Sequence, residues 1–164
     1  MGRRPGRLGQ GAAAQRPSPC RLAVPRATVC ADKQSLPLLL DTTVLVDALR
    51  GRDAAERLRG LQETKEIPWI CAVNVEEVMR GIRDHERDIT VRLLRGMHLA
   101  PLARAEGARA GDWRREFAAK GITLSQADCL IAAAAVGVRA RLATGNPKDF
   151  PMPELEVEHW PVGP

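Results

Sequence analysis

From Pro37 onward the chain alternates short, continuous apolar runs with longer stretches of helical texture. The first run, Pro37-Leu38-Leu39-Leu40, has no polar alternation, as a parallel strand buried on both faces requires, and it stops at Asp41. Helical spacing follows over 42–50, closed by Gly51, and again over 53–64. Pro68–Val73 is a second apolar run, after which a helix opens at Asn74 and further helical texture covers 86–95. Met97–Leu102 gives a third strand, 103–120 a long polar helix weakened by Gly107 and Gly111, and 125–138 an alanine-rich helix expected to be buried. Strands at 141–144 and 157–160 complete the pattern. Strands alternating with helices place the chain in the α/β class, with a central parallel sheet flanked by helices on both faces. Ligands of such sheets bind outside the carboxyl ends of the strands. No Gly-rich phosphate loop follows any strand, which argues against P-loop and dinucleotide sites.

Composition narrows this further. With 164 residues, 45% of them hydrophobic, the chain has material for one domain and one core. Aromatic residues make up 3%, with no tyrosine, so an aromatic platform for stacking bases is excluded and nucleic acid would be held by charge or metal. The net charge of +5 is local: seven of the 25 basic side chains and one of the 20 acidic ones lie in residues 1–35, leaving 18 against 19 in the rest. Basic charge on the folded part therefore does not argue for a polyanion partner. Residues 1–35 are rich in Arg, Pro, Gly and Ala without periodicity and are expected to be a disordered basic extension, with residues 36–164 as the folded domain. Two readings of the extension stand: sequence upstream of a true start at Val24, Val29 or Leu36, or a basic RNA-binding arm. Arg3-Arg4 lacks the hydrophobic stretch of a secretion signal. Cys20, Cys30, Cys71 and Cys129 form no metal-binding pattern, and Cys71 and Cys129 sit in apolar segments, so a reducing, cytoplasmic setting is expected. No apolar run is long enough for a membrane span.

The candidate chemistry lies in four acids. Asp41 stands where the first strand ends. Asn74-Val75-Glu76-Glu77, Ser125-Gln126-Ala127-Asp128 and Asn146-Pro147-Lys148-Asp149 each put an acid three residues after a good N-cap residue, and Pro147 supports a turn start there. Singly, each such acid is explained as a helix cap that complements the dipole. Together they are not, because Asp41, Glu77 and Asp149 should share one edge of a parallel sheet that the helix opened by Ser125 can reach. Four carboxylates on one edge repel unless a divalent cation sits among them, and Mg²⁺, with Mn²⁺ as a substitute, suits such a set of oxygens.

Four segments carry a family resemblance: Leu39-Leu40-Asp41-Thr42-Thr43-Val44-Leu45, Val75-Glu76-Glu77-Val78-Met79-Arg80-Gly81, Ala127-Asp128-Cys129-Leu130-Ile131-Ala132-Ala133, and Ala143-Thr144-Gly145-Asn146-Pro147-Lys148-Asp149-Phe150. In order and spacing they resemble the acidic motifs of PIN-domain nucleases, best those of the VapC type, the ribonuclease half of bacterial toxin–antitoxin pairs. The resemblance covers about 36–160 and implies a PIN-like fold and a Mg²⁺-dependent endoribonuclease of the bacterial cytoplasm. It implies Asp41 and Asp128 as central metal ligands, Glu77 as a third acid, and Asp149 or Asn146 as the fourth member. It also implies an RNA substrate, a homodimer and a VapB-type antitoxin seated in the active-site groove. Thr43 stands where many members have Asn or Ser, keeping a hydroxyl near Asp41. Gly145 stands where an Arg is common, so a basic contact to substrate or to the fourth acid is expected to be missing.

The remaining polar residues are assigned blander roles. His85, His98 and His159 are scattered away from the acidic motifs. Asp47 and Glu76 are expected to face solvent or to make surface pairs, Trp113 and Phe117 to form a core or dimer stripe, and Arg80, Arg83, Arg114 and Arg115 to lie on solvated faces. Two rivals stand beside the nuclease. One is a catalytically silent PIN-like binding module. The other is a haloacid-dehalogenase-like phosphatase, in which an Asp after the first strand would carry phosphate. No paired acids late in the chain and no well placed Lys after the middle strand support the second.

Overall fold

The computed structural model describes Leu36–Gly163, together with Met1 and Gly2. The expected disorder of residues 1–35 otherwise lies outside the described residues. The elements run β1 (Leu38–Leu40), α1 (Thr42–Leu49), α2 (Asp53–Glu63), β2 (Trp69–Cys71), α3 (Ala72–Gly81), α4 (Arg87–Arg95), β3 (His98–Ala100), α5 (Arg104–Ala118), α6 (Gln126–Gly137), β4 (Arg141–Thr144) and β5 (Val157–His159). Short 3₁₀ turns occupy Asp84–Glu86 and Pro147–Asp149.

All four strand pairings are parallel, in the order β3-β2-β1-β4-β5. The chain builds outward from β1 through β2 to β3, then returns to the other side of β1 with β4. That reversal makes the crevice between the ends of β1 and β4 the topological switch point of the sheet, where open α/β sheets bind ligands.

The strands alternate their side chains between two cores. Leu39 packs with Trp113, Phe117, Ile131 and Leu142 on one face, while Leu38 and Leu40 pack with Val44, Leu58, Ile70 and Val78 on the other. Each fully buried leucine or isoleucine contributes about 1.5–3 kcal/mol, so the two-sided burial of β1 explains why its sequence shows no polar alternation. The alanines at 132–135 are fully buried, which lets α6 approach α5 closely. Trp113 and Phe117 belong to this core, and the indole Nε1 of Trp113 donates to Glu154 Oε1 at 2.8 Å. Among the described residues no helix is long and apolar enough to cross a membrane.

Most element ends shift by a residue or two from the sequence reading, and two of the differences have a structural cause. α3 begins at Ala72 rather than Asn74, because Asn74 is not the N-cap: its Oδ1 reaches back to accept the Cys71 N–H at 2.8 Å. β3 spans three residues and leaves His98 and Leu99 exposed, as an edge strand does, although its run read as apolar.

Candidate functional site

Asp41 follows β1 directly, and its N–H bonds to the Ala143 carbonyl of the neighbouring strand. It is buried, yet three donors satisfy its carboxylate. Oδ1 accepts the Thr42 N–H at 2.7 Å and so caps α1, while Oδ2 accepts the hydroxyls of Thr43 at 2.6 Å and Thr144 at 2.8 Å. The hydroxyl expected of Thr43 is therefore in place. Thr144 enters because β4 lies beside β1, so the last residue of one strand meets the residue after the other; the sequence reading missed it.

Glu77 lies in the second turn of α3, not in a first turn as a cap would. Its Oε2 accepts the Thr42 hydroxyl at 2.6 Å, and Thr42 Oγ1 accepts from Asn74 Nδ2 at 3.1 Å. Asp128 does stand in a capped first turn. Its N–H donates to Ser125 Oγ at 3.0 Å, and the Ser125 hydroxyl donates to Asp128 Oδ2 at 2.5 Å. Asp149 is exposed in the Pro147–Asp149 turn, where Asn146 Nδ2 donates to its Oδ2 at 2.7 Å. Asn146 makes no side-chain bond to the backbone of that turn, so the capping reading of this segment is replaced by a side-chain pair.

Asp41, Glu77, Asp128 and Asp149 line one cavity of about 410 Å³. Four segments far apart in the chain supply them. The acids sense one another: burial first, then the negative charges of Asp149, Asp41 and Glu77, raise the Asp128 carboxyl above its ordinary range, against the opposing pull of the Ser125 hydroxyl bond. Counting Asp47, the lining holds five carboxylates and three guanidinium groups, those of Arg50, Arg52 and Arg80, so the cavity keeps a negative balance. Among the described residues no three His, Cys, Asp or Glu side chains stand close enough to clasp a metal ion by themselves. The donor set is nonetheless all hard oxygen, shares one cavity, and carries unbalanced charge. That fits a cation contacted partly through water, the habit of Mg²⁺.

Asp47 corrects an expectation. It is 2% exposed rather than solvated. One oxygen accepts the Ala54 N–H of α2 at 3.1 Å and the other the Gly163 N–H at 3.0 Å, with Arg52 Nη1 3.8 Å away. Arg52 in turn donates to the Gly163 carbonyl at 2.9 Å, so the C-terminal residues form a wall of the cavity. That wall explains Gly145: a Cβ there would lie 2.6 Å from Val162 Cγ2 and 3.3 Å from Thr43 Oγ1, leaving no room for a side chain. Arg50 and Arg52 were not singled out from sequence, since no local motif marks them. Gly51, at φ +69°, turns the chain between α1 and α2 so that both arginines reach the rim.

The other expectations divide. Glu76 pairs on the surface with Arg80 four residues on, at 3.3 Å. Arg80 nevertheless lines the cavity, whereas Arg83 lines a neighbouring groove and Arg115 pairs with Asp112. None of His85, His98 and His159 lines the cavity; His98 packs on the Trp69 ring.

Comparison with known proteins gives a consistent set of similarities. The family model of the PIN domain matches residues 38–151. Ribonuclease VapC10 of Mycobacterium tuberculosis is 35% identical over 116 residues, which cover 70% of this chain and 86% of the relative. Among solved structures, VapBC2 from Rickettsia felis, bound to a DNA fragment from its promoter, superposes with a TM-score of 0.65 at 23% identity. The match covers 76% of this chain and 99% of that one. A toxin–antitoxin complex from Klebsiella pneumoniae gives a TM-score of 0.59 at 27% identity, covering 72% and 94%.

Proposed function

This chain belongs to the PIN-domain family, and from that premise we propose that it is the ribonuclease toxin of a toxin–antitoxin pair, hydrolysing RNA phosphodiester bonds at the cavity of Asp41, Glu77, Asp128 and Asp149. The observation that carries the reading is the convergence of these four acids, from four separate segments, at the switch point of the sheet. The 35% identity to a VapC ribonuclease supports the activity. A silent binding module has no use for a cavity of mutually repelling carboxylates. A phosphatase that forms an aspartyl phosphate is disfavoured by the 35% identity to a ribonuclease over 70% of this chain.

Asp41 and Asp128 are the residues we assign to a divalent cation, with Glu77, Asp149, Asn146 and Thr43 in support, and Mg²⁺ as the resident ion. Bound there, the cation supplies positive charge to the phosphoryl oxygens and raises the acidity of a water for in-line attack. The protein's own groups do the positioning. Thr43, Thr144 and the Thr42 N–H hold the Asp41 carboxylate in one orientation. Arg50, Arg52 and Arg80 at the rim attract the RNA backbone toward a cavity whose own charge would turn it away. A second groove, lined by Val46, Leu49, Val78 and Ile82, shares Val46 and Arg50 with the cavity. An antitoxin segment lying in it would lead directly to the acids.

The test is RNA cleavage with and without divalent cation. Asp41→Asn and Asp128→Asn keep the shape of each side chain and remove its charge, so both should lose cleavage by about two orders of magnitude or more while melting as folded proteins. Undiminished cleavage by the double variant, or full activity in chelator, would overturn the assignment.

A further inference from the structure

We propose that Asn74 and Thr42 are positioning residues that aim Glu77 into the cavity. The inference rests on the nuclease reading above and adds two side chains to its machinery. Asn74 is fully buried. Its Oδ1 accepts the Cys71 N–H at 2.8 Å, and a backbone N–H can only donate, so the amide has a single orientation with Nδ2 toward Thr42. Nδ2 donates to Thr42 Oγ1 at 3.1 Å. With that lone pair taken, the Thr42 hydroxyl sends its own proton to Glu77 Oε2, 2.6 Å away.

The direction of all three bonds is thus set by one main-chain donor at the junction of β2 and α3. Glu77 is half-buried on a flexible stem, and a bond to a charged acceptor is stronger than one between neutral groups. It selects one arrangement of the carboxylate and leaves Oε1 without a hydrogen-bond partner among the described residues. Thr42 also gives its N–H to Asp41 Oδ1. Thr42 therefore ties the acid at the end of β1 to Glu77 on α3, 35 positions after Thr42 itself.

A purely structural role would make Asn74 a helix-start residue and Thr42 a first-turn residue, with no effect on Glu77. Thr42→Val separates the two, because it removes the hydroxyl and leaves the bond between Asn74 and Cys71 intact. Kinetics of RNA cleavage and titration with Mn²⁺ alone, by calorimetry, are the readouts. Thr42→Val should lower kcat about tenfold with KM for RNA within about twofold, and weaken Mn²⁺ binding about threefold. Thr42→Ser should restore both. Asn74→Ala should melt earlier, since Cys71 loses its acceptor, and at a temperature where it is folded should cost about the same factor in kcat, adding nothing to Thr42→Val. In a Glu77→Ala background Thr42→Val should change neither readout. Wild-type kcat and Mn²⁺ affinity in Thr42→Val, or a loss undiminished by Glu77→Ala, would overturn the proposal while an inactive Asp41→Asn leaves the nuclease reading in place. Cleavage by Asp41→Asn at the wild-type rate would overturn both.

Discussion

A carboxylate surrounded by others is an unstable arrangement in the absence of a cation, and Asp128 registers it. Burial and the charges of Asp149, Asp41 and Glu77 raise its pKa, so the folded state holds the Asp128 proton more tightly than the unfolded chain does. The stabilisation this gives is fully present below the unfolded carboxyl's range near about pH 4 and is lost as the pH rises through the higher folded value. Asp128→Asn, which cannot ionise, should therefore melt above the wild type at pH 7 in chelator, with the difference shrinking toward pH 4. Added Mg²⁺ should raise the wild-type melting temperature and leave the variant nearly where it was. A variant that melts below the wild type at pH 7 in chelator would contradict the crowding of charge. Asp41, by contrast, is legible from sequence only in part: its place after an apolar strand marks it, but nothing nearby in the chain announces the hydroxyl of Thr144.

Among the elements, α1, α2 and the C-terminal residues are joined through one side chain. Asp47 accepts from Ala54 at the start of α2 and from Gly163. Asp47→Ala removes a cap and leaves a buried donor without its acceptor, so it should cost about 1–3 kcal/mol in denaturant unfolding. Glu76→Ala, which breaks only an exposed pair with Arg80, should change stability by less than about 0.5 kcal/mol. Equal effects would show that burial of Asp47 contributes nothing. Gly145→Ala tests the same wall from the other side. Its Cβ would collide with Val162, so a loss of about 1–3 kcal/mol is expected, and Val162→Ala should recover most of it. Helical periodicity hid Asp47 at the sequence level, because its burial depends on a segment more than a hundred residues further along.

For the whole molecule, all the acidic and basic side chains of the cavity fall between Asp41 and Asp149, and the charge of residues 36–164 is close to balanced. A chain begun at Leu36 should fold and cleave RNA as the full chain does; a large loss at low salt, not recovered by added metal, would show that the arginines of residues 1–35 form an RNA-binding arm. Regulation follows from the negative cavity. An antitoxin arginine placed among the carboxylates would pair with them in a bidentate way and compete with the cation for the same oxygens. Excess Mg²⁺ or Mn²⁺ should then partly relieve inhibition by an antitoxin peptide, and replacing its arginine should weaken inhibition more than binding. Inhibition indifferent to metal concentration would put the block at the substrate groove instead.

The sequence by itself determined the α/β alternation and marked the four acids that the fold brings to one cavity, because both signals are local: strand burial erases polar alternation within four residues, and an acid just after a strand or three residues after a capping-type residue is visible in a short window. It determined Ser125 as a cap for the same reason. The tertiary structure alone decided what those acids face. Strand order put β4 beside β1 and so Thr144 on Asp41. The packing of α1 on α3 made Asn74, which caps the start of α3 from its third position rather than as the N-cap, the buried partner of Thr42 as well. The return of the chain at Val162 and Gly163 closed the wall that removed any space for a side chain at residue 145 and buried Asp47. Each of these contacts joins residues 17 or more apart in the chain, a separation over which periodicity and capping rules carry no information.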